Sequence, residues 1–163
     1  MKKIDWSKWS AIAEIVSSIA ILVTLAYLAV QTAQNTAAIQ GSTRQAMLAE
    51  DRELITLEIQ YPEIQELEQR SPSTMSDTER TRLTSWLRIF GRNRENQYLQ
   101  YKNGVIDEAT WLSYANATAD VLSLEGTRPW WEKDSYEFDP DFAAYVNELL
   151  ANRPVQHATN SSD

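Results

Sequence analysis

The most pronounced pattern along the chain is an apolar run near its start. Ala11 to Val30 reads AIAEIVSSIAILVTLAYLAV, in which Glu14 is the one ionisable residue. From Ile15 to Gln40 there is no formal charge at all. About 20 mostly apolar residues in a helix span the roughly 30 Å hydrocarbon core of a bilayer. Lipid offers backbone groups no water partners, so a crossing segment is forced into a helix. Trp6 and Trp9 precede the run and Tyr27 lies near its far end, where interfacial aromatic anchors belong. A cleaved signal would have a shorter apolar core and a small-residue cleavage site. Here no Ala-x-Ala follows Val30, and too little apolar chain remains to wrap such a helix as a soluble core. The run therefore predicts a transmembrane helix over 11–30, preceded by a short N-terminal segment over 1–10.

Beyond Val30 the sequence turns polar without a helix breaker until Pro62, apart from Gly41. One long helix from about Trp6 to Gln60 is expected, bent if anywhere at Gly41. Its part past the membrane would extend about 45 Å. Met47, Leu48, Leu54, Ile55 and Ile59 supply a loose apolar face.

The remaining helices announce themselves by their ends. Pro62 opens a short helix to about Gln69, and Ser71-Pro72-Ser73-Thr74 reads as a linker. Ser76 followed by Glu79 is a capping-box signature, so a helix should run from about Asp77 to Asn103 and stop at Gly104. Its stripe is Leu83, Trp86, Leu87, Phe90, Tyr98 and Tyr101, with polar Asn93, Arg94 and Gln97 interrupting it. Asp107 can cap a helix over about Glu108 to Leu124, with Gly126 after it. Arg128-Pro129-Trp130-Trp131 reads as a turn into an acidic loop. Asp139-Pro140 opens the last helix, to about Ala151. Residues 152–163 read as a disordered tail. The fold class expected is all-α: the N-terminal transmembrane helix continues into a long helix packed with a small antiparallel helical bundle, over residues 31–151.

Composition narrows the chemistry. Fifteen Lys+Arg face 23 Asp+Glu in 163 residues, a net charge of −8. That balance opposes general nucleic-acid binding, which needs a basic face. There is no cysteine, and the single histidine is His157 in the polar tail. Thiolate zinc sites, cysteine nucleophiles, histidine triads and multi-histidine metal sites all fall away. No cofactor is expected, and no metal. Glu132, Asp134, Glu137, Asp139 and Asp141 lack the glycine and register of an EF-hand loop and read as a solvated loop with helix caps.

Charge also predicts helix neighbours. Glu50 to Glu68 holds seven acids against Arg52, whereas Arg80 to Arg94 holds five arginines and no acid. Pairing of these segments is the simpler reading, although each exposed pair contributes only about 0–1 kcal/mol. The alternative is that the arginines bind an anionic lipid or phosphate. Lys2, Lys3 and Lys8 precede the span, and the first basic residue after it is Arg44. The positive-inside rule then places the N-terminus in the cytoplasm and the helical domain outside the inner (plasma) membrane, in the periplasm of a Gram-negative cell.

Two sets of residues are candidates for contact. Ser10, Ala13, Ser17, Ala20 and Thr24 line one face of the span with small side chains, bordered by Glu14. Such a stripe lets helices approach closely, by self-association or against a larger membrane protein, with lipid around them. The second set is Trp86, Asn93, Arg94, Gln97, Tyr98, Tyr101 and Trp111, which could wall an apolar pocket with a few directed polar groups. Against that, the aromatics can fill a core while the polar group closes a network with a carboxylate such as Asp120.

Two stretches read together carry a resemblance. The first is Leu25, Tyr27-Leu28-Ala29, Gln31-Thr32 and Gln34-Asn35-Thr36 after the span. The second is Tyr98, Tyr101, Gly104, Asp107-Glu108 and Trp111, then Trp131 and Phe142. Together they resemble a widespread set of uncharacterised small bacterial single-pass membrane proteins. The resemblance implies a span followed by a helical domain and brings no established activity. The function expected is protein association, with itself or a larger membrane partner, or sensing. A small-molecule or lipid-binding module is the alternative, and a carboxylate enzyme the third reading.

Overall fold

A computed structural model describes residues 6–156, with the side chains of 6–8 and 11 left out. Lys2 and Lys3, the side chains of Trp6 and Lys8, and His157 in the tail therefore lie outside the described residues. Among the described residues there are six α-helices and no strand. They are α1 (Trp6–Gln60), α2 (Glu63–Gln69), α3 (Asp77–Lys102), α4 (Glu108–Leu122), α5 (Arg128–Asp134) and α6 (Pro140–Ala151). The all-α expectation holds. The chain divides into two compact units, residues 1–42 and 43–163.

The described residues of the first unit, 6–42, all lie in α1, and the described side chains from Trp9 to Val30 are exposed. Ile12, Leu22, Val23 and Tyr27 are between 52% and 66% exposed. This helix is long and apolar enough to cross a membrane. Hydroxyls in it bond back one turn: Ser18 Oγ donates to the Glu14 carbonyl at 2.9 Å, and Thr24 Oγ1 to that of Ala20 at 2.9 Å. An apolar helix carries hydroxyls cheaply in this way, because the polar hydrogen has a local acceptor. Helix α1 runs through Gly41 without a break.

The second unit is the packed domain, and its caps follow the sequence. The Ser76 hydroxyl accepts from the Glu79 N–H at 3.3 Å, and the Glu79 carboxylate accepts from the Ser76 N–H at 2.8 Å. Helix α3 ends at Gly104, whose φ of 70° is the left-handed conformation that costs glycine little. Val105 N–H reaches the Gln100 carbonyl and Gly104 N–H that of Tyr101, both at 2.9 Å. These are the paired bonds of a Schellman stop. Asp107 then caps α4 by accepting from Thr110 N–H at 2.7 Å. The corner folds Trp111 back onto Tyr98 and Tyr101, with ring centroids 5.3 and 5.9 Å apart. Leu87, Ala119, Phe142 and Val146 are fully buried at the centre, from α3, α4 and α6.

Three local expectations change. Arg128–Asp134 is a helix rather than a turn, with Pro129 in its first turn, where the missing N–H costs nothing. Seven residues are too few to show a period, but burying Trp130 and Trp131 holds the helix in place. Gly126 does not stop α4, which ends at Leu122. It is needed for close approach: a Cβ there would run into the Leu67 carbonyl oxygen and lie 2.7 Å from that of Glu68. Residues 152–156, expected in the disordered tail, return to the domain. Gln156 N–H donates to the Ser123 carbonyl at 2.7 Å and its carbonyl accepts from Glu125 N–H at 3.0 Å.

Candidate functional site

The polar interruption of the α3 stripe has a clear cause. Asn93, Arg94 and Gln97 meet the acidic stretch of α1. Gln97 is fully buried, and its amide nitrogen donates to Asp51 Oδ1 at 3.1 Å and to Asn93 Oδ1 at 2.9 Å. Its carbonyl oxygen accepts from Arg94 Nη1 at 2.8 Å. Arg94 Nη1 also lies 3.1 Å from Asp51 Oδ1, and its guanidinium stacks over the Phe90 and Tyr114 rings. Glu50 Oε2 accepts from the amides of Asn93 and Asn96, each at 3.3 Å. Burial, with the Asp51 charge beside it, pushes the Tyr114 hydroxyl above its ordinary pKa. Donors and acceptors answer one another in this group, apart from the Arg94 Nε–H, which has no partner among the described residues. The carboxylates that close the network are Glu50 and Asp51. Asp120, the partner considered from sequence, pairs instead with Arg153.

The seven pocket candidates fall into three arrangements. Asn93, Arg94 and Gln97 make the network just described. Tyr98, Tyr101 and Trp111 form an aromatic cluster, to which Tyr145 and Phe142 add rings 5.6 Å from Tyr98. Trp86 stands with Glu68, to which its indole N–H donates at 2.8 Å. The open groove bordered by Glu50, Leu57 and Ile89 takes in Asn93 alone of the seven.

Glu68 is the titratable group that sequence reading passed over. It is 7% exposed on α2. Burial, which outweighs the Trp86 hydrogen bond, raises its pKa to about 7, with the Glu58 charge adding to the rise. Glu58 on α1 is raised as well, by burial, against the pull of Arg94 and a Gln65 hydrogen bond. Neither carboxylate borders the α2 groove formed by Pro62, Gln65 and Arg70. The signal was present in the sequence: Ile64, Leu67 and Glu68 share helical spacing on one face.

The arginines of α3 are committed to protein partners. Arg82 meets Glu63 at 2.6 Å and Arg94 meets Asp51, so two reach the acidic segment as charge predicted. Arg88 grips Glu137 through two bonds of 2.9 and 3.1 Å, and Arg92 reaches Glu95 and the Glu137 carbonyl. Arg80 donates to the Met75 carbonyl at 3.1 Å. Within the acidic stretch, Asp139 caps α6 through the N–H groups of Asp141 and Phe142. No cluster of metal-ligating side chains occurs among the described residues.

In the apolar run of α1, Ala13, Glu14, Ser17, Ala20 and Thr24 are all exposed. Comparison with known proteins finds no matching family model, no matching curated protein and no matching solved structure.

Proposed function

We propose that this chain is a single-pass membrane protein whose long helix pairs with a second copy of itself, holding the helical domains together on one side of the membrane. The observation that carries this reading is the unpartnered apolar surface of α1. Over the apolar run its large side chains are bare, and lipid is the solvent that suits them. Outside the run, Met47 and Leu54 turn into the domain, whereas Leu48, Ile55 and Ile59 stay 54%, 55% and 77% exposed.

Those three residues fall on a heptad. Counted along the sequence in alternating steps of three and four, their register continues back through Gln45, Gly41, Ala38, Gln34, Gln31 and Tyr27. It then reaches Thr24, Ala20, Ser17, Ala13 and Ser10, the small-residue stripe. Arg52 is the only charge in it. The large apolar members of this register in the domain part are Leu48, Ile55 and Ile59, at the spacing that packs in supercoiled helices, while Gln45, Gly41, Ala38, Gln34 and Gln31 join them to the small-residue stripe. Small residues favour close contact in lipid and larger apolar ones in water. Copies held in one membrane are already parallel, so pairing one part raises the effective concentration of the rest.

The chain has no native cysteine, so single cysteines report contact cleanly. In native membranes, cysteines at positions 45, 48, 55 and 59 should form disulfide dimers, and those at 46, 53 and 56 should not. Cross-linking without that period would refute the pairing. Recovery of the intact chain in the supernatant after ultracentrifugation without detergent would refute the anchoring.

A further inference from the structure

A cavity of about 240 Å³ opens between the turn at Pro72, the first half of α3 and α5. Its floor is apolar: Met75, Leu83 and Leu87 are 5%, 3% and 0% exposed. Trp130 forms a side wall, and its indole N–H is buried without an acceptor.

Asp134 lines the same space. It is 8% exposed as a residue, and no hydrogen bond or ion pair holds its carboxylate among the described residues, but the carboxylate oxygens themselves keep some contact with solvent. Arg88 feels its charge but is already held bidentately by Glu137. At the mouth, Lys133 is exposed and has no ion pair among the described residues. The other rim cation, Arg80, donates to the Met75 carbonyl at 3.1 Å and keeps its charge.

We infer that this cavity binds a small zwitterion with an apolar body, of the size and kind of a hydrophobic amino acid. The ammonium group meets Asp134 beside the Trp130 ring, where a cation gains from the aromatic face as well. The apolar body covers Met75, Leu83 and Leu87, and the carboxylate lies at the mouth by Lys133. Size agrees: pockets for drug-sized ligands run to about 300–1,000 Å³, and this one, at about 240 Å³, falls just below that range. One amino acid fits it and a nucleotide does not. A cationic ligand alone would leave Lys133 unanswered, and an anionic one would meet Asp134.

The test uses the full chain in detergent, titrated by calorimetry with three probes that share one ring. L-Phenylalanine carries both charges, phenethylamine only the ammonium and hydrocinnamate only the carboxylate. Phenylalanine should bind saturably and at least several-fold tighter than either of the others. Asp134→Asn should weaken phenylalanine and phenethylamine by ten-fold or more while leaving hydrocinnamate unchanged. Lys133→Met, a change at an exposed position, should weaken phenylalanine and hydrocinnamate several-fold, which keeps the test open if Asp134→Asn fails to fold. The inference is overturned if no probe saturates below about 10 mM, the weakest range of specific binding. It is equally overturned if phenylalanine binds the wild type no better than phenethylamine, or binds a folded Asp134→Asn as well as the wild type. None of these readouts depends on the membrane pairing of α1.

Discussion

The indole N–H of Trp86 donates to Glu68 Oε1 across 2.8 Å, joining α3 to α2 through a carboxylate that is 7% exposed. One neutral donor does not offset the loss of water around an ionised carboxylate. The ordinary value of 4.5 is therefore raised to about 7 in the folded chain.

That shift predicts a pH dependence. Between pH 4.5 and about 7 the folded chain holds a proton on Glu68 that the unfolded chain has released. Stability from this group is thus fully present below 4.5 and is lost as pH rises through about 7. Glu68→Gln keeps a carbonyl acceptor for Trp86 and cannot ionise. It should stabilise the domain by about 1–3 kcal/mol at pH 8 and change little at pH 4.5. Urea denaturation at the two pH values measures this, and an equal effect at both would remove ionisation as the cause.

Gly126 should resist any side chain. Its N–H donates to the Glu68 carbonyl at 2.8 Å, and a Cβ would press on the carbonyls of Leu67, Glu68 and Arg70. All three are backbone atoms that cannot swing away, so Gly126→Ala should cost about 2–3 kcal/mol or more by overpacking. Gly41 has nothing within 4 Å of its Cβ position and sits inside a helix. Gly41→Ala should be neutral or stabilising by up to about 1 kcal/mol, since alanine is the better helix former. Thermal melts of the two variants side by side make the comparison.

The Gln97 network should behave as a structural unit. Gln97→Leu removes one acceptor from Arg94 and one donor each from Asp51 and Asn93, all in a half-buried setting. A loss of about 2–4 kcal/mol is expected from the unpaired groups left behind. Asp51→Asn should show a similar loss, and the double variant should lose less than the sum. Additive losses would mean that the two residues act separately.

Pairing along α1 has its own signatures. Ala20→Leu places a large side chain in the small-residue register and should reduce cysteine cross-linking at position 24 several-fold. Arg52→Leu removes the one charge in the register and should increase cross-linking at positions 48 and 55, because a buried polar position lowers coiled-coil stability while setting its register. Cross-linking yields from native membranes read both effects.

Much of the fold was legible because its signals are local. Ser76, Glu79, Gly104, Asp107 and Pro140 each act within one turn of a helix end, and all five mark an observed boundary. The α5 helix was missed because Arg128, Pro129 and two tryptophans resemble a turn when their burial is unknown. The pocket candidates were the right residue types for a polar group inside an aromatic core. Their partners, Glu50 and Asp51, sit more than forty positions away on α1, and no local pattern joins them to Gln97. Asp134 reads as one acid among five in a loop, and only the tertiary structure places it on the wall of the cavity shared by Trp130, Leu83 and Leu87.

By itself, the sequence determined the helical class, most of the helix ends and the apolar length suited to lipid. These follow from properties carried by consecutive residues: hydropathy, period and capping chemistry. The tertiary structure decided which polar groups are consumed and which are left open. Glu68 and Gln97 became buried and bonded, Gly126 was pressed against a carbonyl row, and Asp134 was brought to the wall of an apolar cavity. The reason is that burial and partnership depend on what the rest of the chain brings alongside a residue, and one-dimensional spacing does not contain that.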